Sequence, residues 1–168
     1  MVEGWLTRQL APPAEWLAAT PVAVAMRDGV WLYPIVETVH IAGFAILVGA
    51  VAMFDLRVLG CARRLPVDAL ASHLLRWAVA SLLLVVPAGL LLFASAPGDY
   101  LSNRTFGVKL ALIALAGVNA LAFHLGVYRG VAGWNVATPA PLPARAHALL
   151  SLLLWFGVIA CGRLLAYT

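Results

Sequence analysis

The chain has 168 residues, of which 64% are hydrophobic and 11% charged, and its mean hydropathy is +0.97. An ordinary soluble domain is about 45–50% apolar and about 25% charged, so a small soluble globule is excluded and an all-α polytopic membrane protein is predicted. The formal charge of +4 is accounted for by loop arginines facing anionic lipid, and no nucleic-acid partner is implied.

Residues 1–30 form an N-terminal segment too interrupted to span. Glu3, Arg8, Pro12, Pro13 and Glu15 break any apolar run, so no cleaved signal peptide is predicted. Trp16, Leu17, Val22, Val24, Ala25 and Met26 suit a helix lying in the bilayer interface. Residues 31–168 then form one domain of four transmembrane helices, each meeting the requirement of roughly 20 mainly apolar residues.

The first span runs from Trp31 to Leu56 and is closed by Leu59-Gly60 through Pro66. The second helix extends from about Ala69 to Ser95 with its apolar stretch from Trp77, Asp68 as N-cap and a kink at Pro87. The third span covers Leu110 to Tyr128, with Asn103 or Thr105 able to start the helix. Residues 130–143, with Pro139, Pro141 and Pro143, read as a stiff extended connection to the fourth span, Ala148 to Leu165. Short loops favour an up-down-up-down bundle.

Arg57, Arg63, Arg64 and Arg76 flank the first loop, and Arg129 and Arg145 the third. These loops are therefore expected at the cytoplasmic face of a bacterial inner membrane, with both termini periplasmic. Cys61 and Cys161 then lie on opposite sides, which rules out a disulfide between them.

Ionisable groups inside spans face the bundle or a cavity and are functional candidates. At 100° per residue, Glu37 and Asp55 project in one direction and His40 about 60° away. At a rise of ~1.5 Å per residue, Glu37 to Asp55 is about 27 Å, Lys109 to His124 about 22 Å, and His147 to Arg163 about 24 Å. Two tiers follow. The outer one holds Glu37, Lys109 and Arg163, with His40 one turn deeper; the inner one holds Asp55, Arg76, His73, His124 and His147.

Three of four histidines thus gather at the inner end. Neutral imidazole is a common metal ligand, and a b-type haem needs one or two at matched depth within apolar and aromatic walls. His124 and His147 match best, Phe123, Trp155 and Phe156 could supply walls, and His73 lies nearer the aqueous boundary. The alternative for His73 and His147 is hydrogen bonding at headgroup level. Glu37-x-x-His40 has the spacing of di-iron bundles, but the second pair that chemistry requires is absent from the sequence. Glu37 therefore orients His40 or pairs with Lys109 or Arg163. Asp55-Leu-Arg57 reads as an anchor, with Arg57 reaching phosphate groups and Asp55 bridging to Arg76.

The string Trp31 to Gly43 with Glu37 and His40, the run Asp55 to Gly60, Asn103 to Lys109, Asn119 with Phe123-His124, and Gly162 to Tyr167 resemble a family of small bacterial inner-membrane proteins of uncharacterised activity. More distantly, a first-helix histidine and the Phe106-x-x-Lys109 opening of the third helix are similar to the copper-resistance CopD membrane domain and to b561-type cytochromes. That likeness implies a membrane redox component holding one b-type haem through the inner histidines, exchanging electrons with a quinone or a membrane partner. It also leaves open copper or small-solute handling through His40, Glu37 and Met53. A third reading is a cofactor-free accessory subunit of a larger membrane complex.

Overall fold

The structure, a computed structural model, describes residues 12–167. The expectations placed on Glu3 and Arg8 lie outside the described residues. Among those described, the chain is helical throughout: α1 at 12–18, α2 (Pro21–Asp28), α3 (Leu32–Leu59), α4 (Val67–Ser95), α5 (Pro97–Ser102), α6 (Arg104–Leu125), a 3-10 segment (Val127–Trp134) and α7 (Leu142–Leu164). Four of them, α3, α4, α6 and α7, are long and apolar enough to cross a membrane. Within their apolar windows only 17% to 28% of residues are buried. Most of the hydrophobic surface faces outward, as a bilayer requires.

Each span is ended by local chemistry. Gly60, at φ +116°, closes α3; its N–H meets the Arg57 carbonyl at 3.1 Å and the Cys61 N–H meets Leu56 at 2.9 Å. A residue with a side chain is strained at that φ. Asn103 caps α6 by accepting from Thr105 N at 2.8 Å and Phe106 N at 3.4 Å. The N-terminus of α4 departs from expectation. Asp68 sits inside the first turn, and the cap comes from 67 residues away: Asn135 accepts from Val67 N through its carbonyl at 3.1 Å and from Asp68 N through Oδ1 at 3.1 Å.

The 130–143 connection is also not simply extended. Its first part continues the 3-10 segment because Val127, Tyr128, Val131 and Trp134 are apolar and pack against a core of Phe54, Val58, Val67, Phe123 and Ala144. The α7 helix starts at Leu142, six residues before the predicted span, since Pro143 falls in the first turn where it costs no hydrogen bond. A short helix, α5, follows α4 directly. Its Tyr100 packs with Phe93 of α4 and Phe106 of α6 at centroid distances of 6.0 and 5.1 Å. Burial, and then the Tyr33 hydroxyl, push the Tyr100 phenol up to about 12.

The helices pack in the order α4, α3, α7, α6. The buried contacts are lined by small side chains, including Ala50, Ala71, Ala78, Ala144 and Ala148, which let membrane helices approach closely. Gly43 and Gly89 of neighbouring helices show the limit of this approach. A Cβ at Gly43 would stand 3.0 Å from Leu84 Cβ, and one at Gly89 would stand 3.0 Å from His40 Cε1. The α2 helix packs on α4 and α3, burying Ala23 and Met26, while Arg27 donates to the Ser95 carbonyl at 3.1 Å.

The ring of four helices is not closed. No Cα of α4 comes within 8 Å of a Cα of α6, although packed helices have axes only about 8–10 Å apart. These two helices are joined only at their ends. At one end α5 contacts both, with the Phe93 and Phe106 rings stacked at 5.7 Å; at the other, the 3-10 segment contacts both. Between these bridges lies a lateral window.

Candidate functional site

The window opens on a cavity of about 270 Å³. One wall is Leu75, Ala78, Val79 and Leu82 of α4 and the other Ala116, Gly117, Ala120 and His124 of α6; α3 and α7 form the floor. The lining is mainly apolar, so its few polar groups carry the chemistry.

Asp55, on α3, is 6% exposed and lines this cavity. Ser151 of α7 lies beside its carboxyl group, and its Oδ2 is buried without a partner. Such an atom forfeits the hydrogen bonds it would make to water. One helical turn along α7 lies a second polar station. His147 Nδ1 is 2.7 Å from Asn119 Oδ1, and Asn119 Nδ2 donates to the His147 carbonyl at 3.0 Å. The second bond fixes the amide with its oxygen toward the ring, so His147 Nδ1 is the donor. A neutral imidazole then carries its lone pair on Nε2.

His124 lines the same cavity from α6. Its ring stands 5.1 Å from that of Tyr128 and 5.2 Å from that of Phe123, while Phe123 also meets His147 at 6.0 Å. Burial pushes the Tyr128 phenol up, and the nearby Asp68 adds to the shift. Trp155 lines the other end of the cavity, and its ring meets Phe44 at 5.9 Å.

The structure therefore brings Asp55, His124 and His147 to one cavity and leaves His73 outside it. His73 is exposed on α4. It lies about 160° around the helix from Leu75, which faces the cavity. Phe123 and Trp155 line the cavity as expected, but Phe156 is 73% exposed and faces outward.

His40 is occupied elsewhere. Its Nδ1 is 2.9 Å from the Val85 carbonyl, so it donates, and the ring fills the notch left by Gly89, next to Pro87 in α4. Gly89→Ala is expected to lower stability by about 1–3 kcal/mol, the usual range for overpacking. Thermal unfolding of purified protein checks this. Adding His40→Ala should recover much of the loss, and an unimproved double variant would mean the notch is not what matters.

The charged residues do not assemble into one network. Arg163 hydrogen-bonds the Tyr167 hydroxyl and lies 4.5 Å from the centre of that ring. Arg76 bonds the Ser72 carbonyl of its own helix. Lys109 Nζ lies against Gly162 of α7, Glu37 is exposed, and Asp55 lies beside Ser151 rather than Arg76. Met53 is 58% exposed and does not approach His40. Among the described residues no group of three or more His, Cys, Asp or Glu side chains converges to hold a metal ion. Cys61 and Cys161 are both free.

Arg57 is a further correction. It is 2% exposed and points inward, donating to the carbonyls of Leu65 at 2.7 Å, Arg63 at 3.0 Å and Asn135 at 2.9 Å. Asn135 is the residue that caps α4. The guanidinium therefore ties two loops together and is not available to lipid phosphates. Its five donors in a fixed fork suit three separate carbonyls.

Comparison with known proteins adds one assignment. No curated protein and no solved structure matches the chain, so the likeness to the CopD domain and to b561-type cytochromes finds no support there. A family model does match, over residues 23–168 and thus all four spans with the cavity they enclose: the chain belongs to DUF6644, a family of unknown function.

Proposed function

We propose that this protein is a membrane redox component that binds a small lipid-dissolved carrier molecule in the cleft between α4 and α6. The observation that supports this reading is the cleft's mixed lining. Asp55, His124, Ser151 and the Asn119–His147 pair face an otherwise apolar cavity in the inner half of the spans. Ionisable groups inside spans are costly and mark functional sites, and convergent polar groups in an apolar pocket are the usual form of a small-molecule site. The volume is just below the common range of about 300–1,000 Å³ for such pockets, a size for one ring with a tail. Proton acceptors beside the ligand suit a carrier whose redox change moves protons.

A second reading has one specific observation in its favour. Asn119 holds His147 Nδ1, the kind of outer hydrogen bond that fixes a ligating imidazole. His147 and His124 would then hold a b-type haem, which would supply electron transfer. The donor set suits that group. The space does not, because the Phe123 ring packs against both imidazoles and would have to swing aside.

Orientation enters the same proposal. With Arg57 buried, the charge bias rests on Arg63, Arg64, Arg76, Arg129 and Arg145, which support a cytoplasmic position for the Arg57 end and a periplasmic one for both termini. The host membrane is then the bacterial inner membrane.

The test is to extract the purified protein with organic solvent, identify bound small molecules by mass spectrometry, and record oxidised and reduced absorption spectra. A Cβ at Gly117 meets nothing within 4 Å, so Gly117→Phe should fold and fill the cleft. The expected result is a bound lipid-soluble compound, lost in Gly117→Phe, with no Soret band. A Soret band lost in His124→Ala and His147→Ala would establish the haem reading instead. A colourless protein without bound compound, co-purifying with a larger complex, would sink both in favour of an accessory subunit.

A further inference from the structure

The two polar stations in the cleft have a spacing and a polarity, and together they specify a ligand more narrowly than the proposal above, on which this inference rests. Ser151 and His147 are four residues apart on α7, so these two residues stand about 6 Å apart along the helix and about 40° apart around it. Both face one cavity. Between them the floor is the methyl group of Ala148, 2% exposed. Each station ends in an acceptor. At one it is the buried, unpartnered Asp55 Oδ2; at the other it is His147 Nε2, the lone-pair nitrogen left when Asn119 takes the Nδ1 proton.

A flat ring with a hydroxyl at each end fits this arrangement. The two oxygens of a para-dihydroxybenzene are separated by the length of a six-membered ring, comparable with the one-turn rise between Ser151 and His147. Its faces suit Ala148 and the aromatic Phe123 and Trp155 at the two ends of the cavity. We infer that the cleft recognises the reduced, para-dihydroxy form of a single-ring quinol, seated over Ala148 with one hydroxyl on Asp55 and the other on His147, and reached sideways from the bilayer through the window between α4 and α6.

The window explains the route. Both ends of the cleft are bridged, by the Phe93–Tyr100–Phe106 cluster and by the 3-10 segment, while the middle has no α4–α6 backbone contact. A ligand with an apolar tail can leave the tail among lipid chains while its ring lies inside. The flanking side chains Val79 and Leu82 on α4 and Ala116 and Ala120 on α6 are apolar, as a path from hydrocarbon requires.

The experiment is a binding titration of the full chain in lipid nanodiscs, using alkyl-tailed dihydroxybenzenes with their hydroxyls ortho, meta or para, the para dimethyl ether, and the corresponding para-quinone. The para-diol is expected to bind at least about tenfold more tightly than each of the others, the scale of one lost hydrogen bond to a charged group. Asp55→Leu and His147→Phe should each remove that preference while leaving the protein folded. Gly117→Phe should abolish binding of every probe. Equal binding of all probes, blocked by Gly117→Phe, would overturn the para-diol inference and leave the cleft as a site for lipid-soluble molecules. Binding unaffected by Gly117→Phe, or no binding of any probe, would overturn both. Because the isomers differ only in the ligand, the comparison holds even where a variant fails to fold.

Discussion

Asp55→Leu is expected to raise the stability of the purified protein while abolishing selective ligand binding. The carboxylate is almost wholly buried, with Ser151 beside it and one oxygen unsatisfied. An unsatisfied buried polar atom costs about 1–3 kcal/mol, more when charged. Leucine of similar size would join the apolar cavity lining, with Val51 one turn away on α3, at no such cost. Replacing buried charges by apolar residues is often neutral or stabilising. A gain of about 1–3 kcal/mol in chemical or thermal unfolding is therefore expected, with Asp55→Asn falling between wild type and Asp55→Leu. A marked loss of stability in Asp55→Leu would mean that the carboxylate has a structural partner. Stability and function are opposed at this residue, which is the pattern of a site kept for what it binds.

Arg57→Met has the opposite sign. Here the buried charge is engaged from Nε and Nη2, donating three hydrogen bonds to loop carbonyls. Hydrogen bonds to a charged group contribute about 1.5–3 kcal/mol each, so the loss is expected to reach about 4 kcal/mol or more. Arg57→Lys should not restore it, because an ammonium on a flexible stem cannot reach three carbonyls held by a planar fork. Unfolding measurements give the size of the loss. Limited proteolysis gives its place: cleavage should rise first at 60–66 and 135–141, the segments that Arg57 ties together. A variant that unfolds like wild type, with both segments still protected, would contradict the brace.

These two residues also show where sequence reading succeeds and where it stops. The spans were legible because hydrocarbon imposes a length and a composition on any helix that crosses it. Depth was legible too: Asp55, His124 and His147 were placed in one tier and do share one cavity. Rotation was less so. His73 has the right depth but points away from the cavity, and Phe156 faces outward while Trp155, its neighbour, lines the wall. An apolar span carries little amphipathic signal, because its lipid face and its packed face are both hydrophobic.

At a helix end among other arginines, Arg57 reads as phosphate-facing. Its true partners are backbone carbonyls of two loops, groups that every residue has and that no residue type announces. The Asn119–His147 pair is not legible in the sequence, since their meeting depends on how α6 and α7 are turned against each other. The α4–α6 window has no signature at all in the sequence. It is the consequence of which helices pair.

That pairing bears on how the protein is made. The α3–α4 and α6–α7 hairpins each pack within themselves and meet chiefly through α3 and α7. Arg57 belongs to the first hairpin and Asn135 to the connection inside the second. The first hairpin, once inserted, therefore holds a guanidinium whose binding pocket is incomplete until the second arrives in the matching orientation. An inverted second hairpin would carry Asn135 to the far side of the bilayer, leaving α4 without its cap and Arg57 short of an acceptor. Assembly and topology are thus checked by one hydrogen-bonded junction.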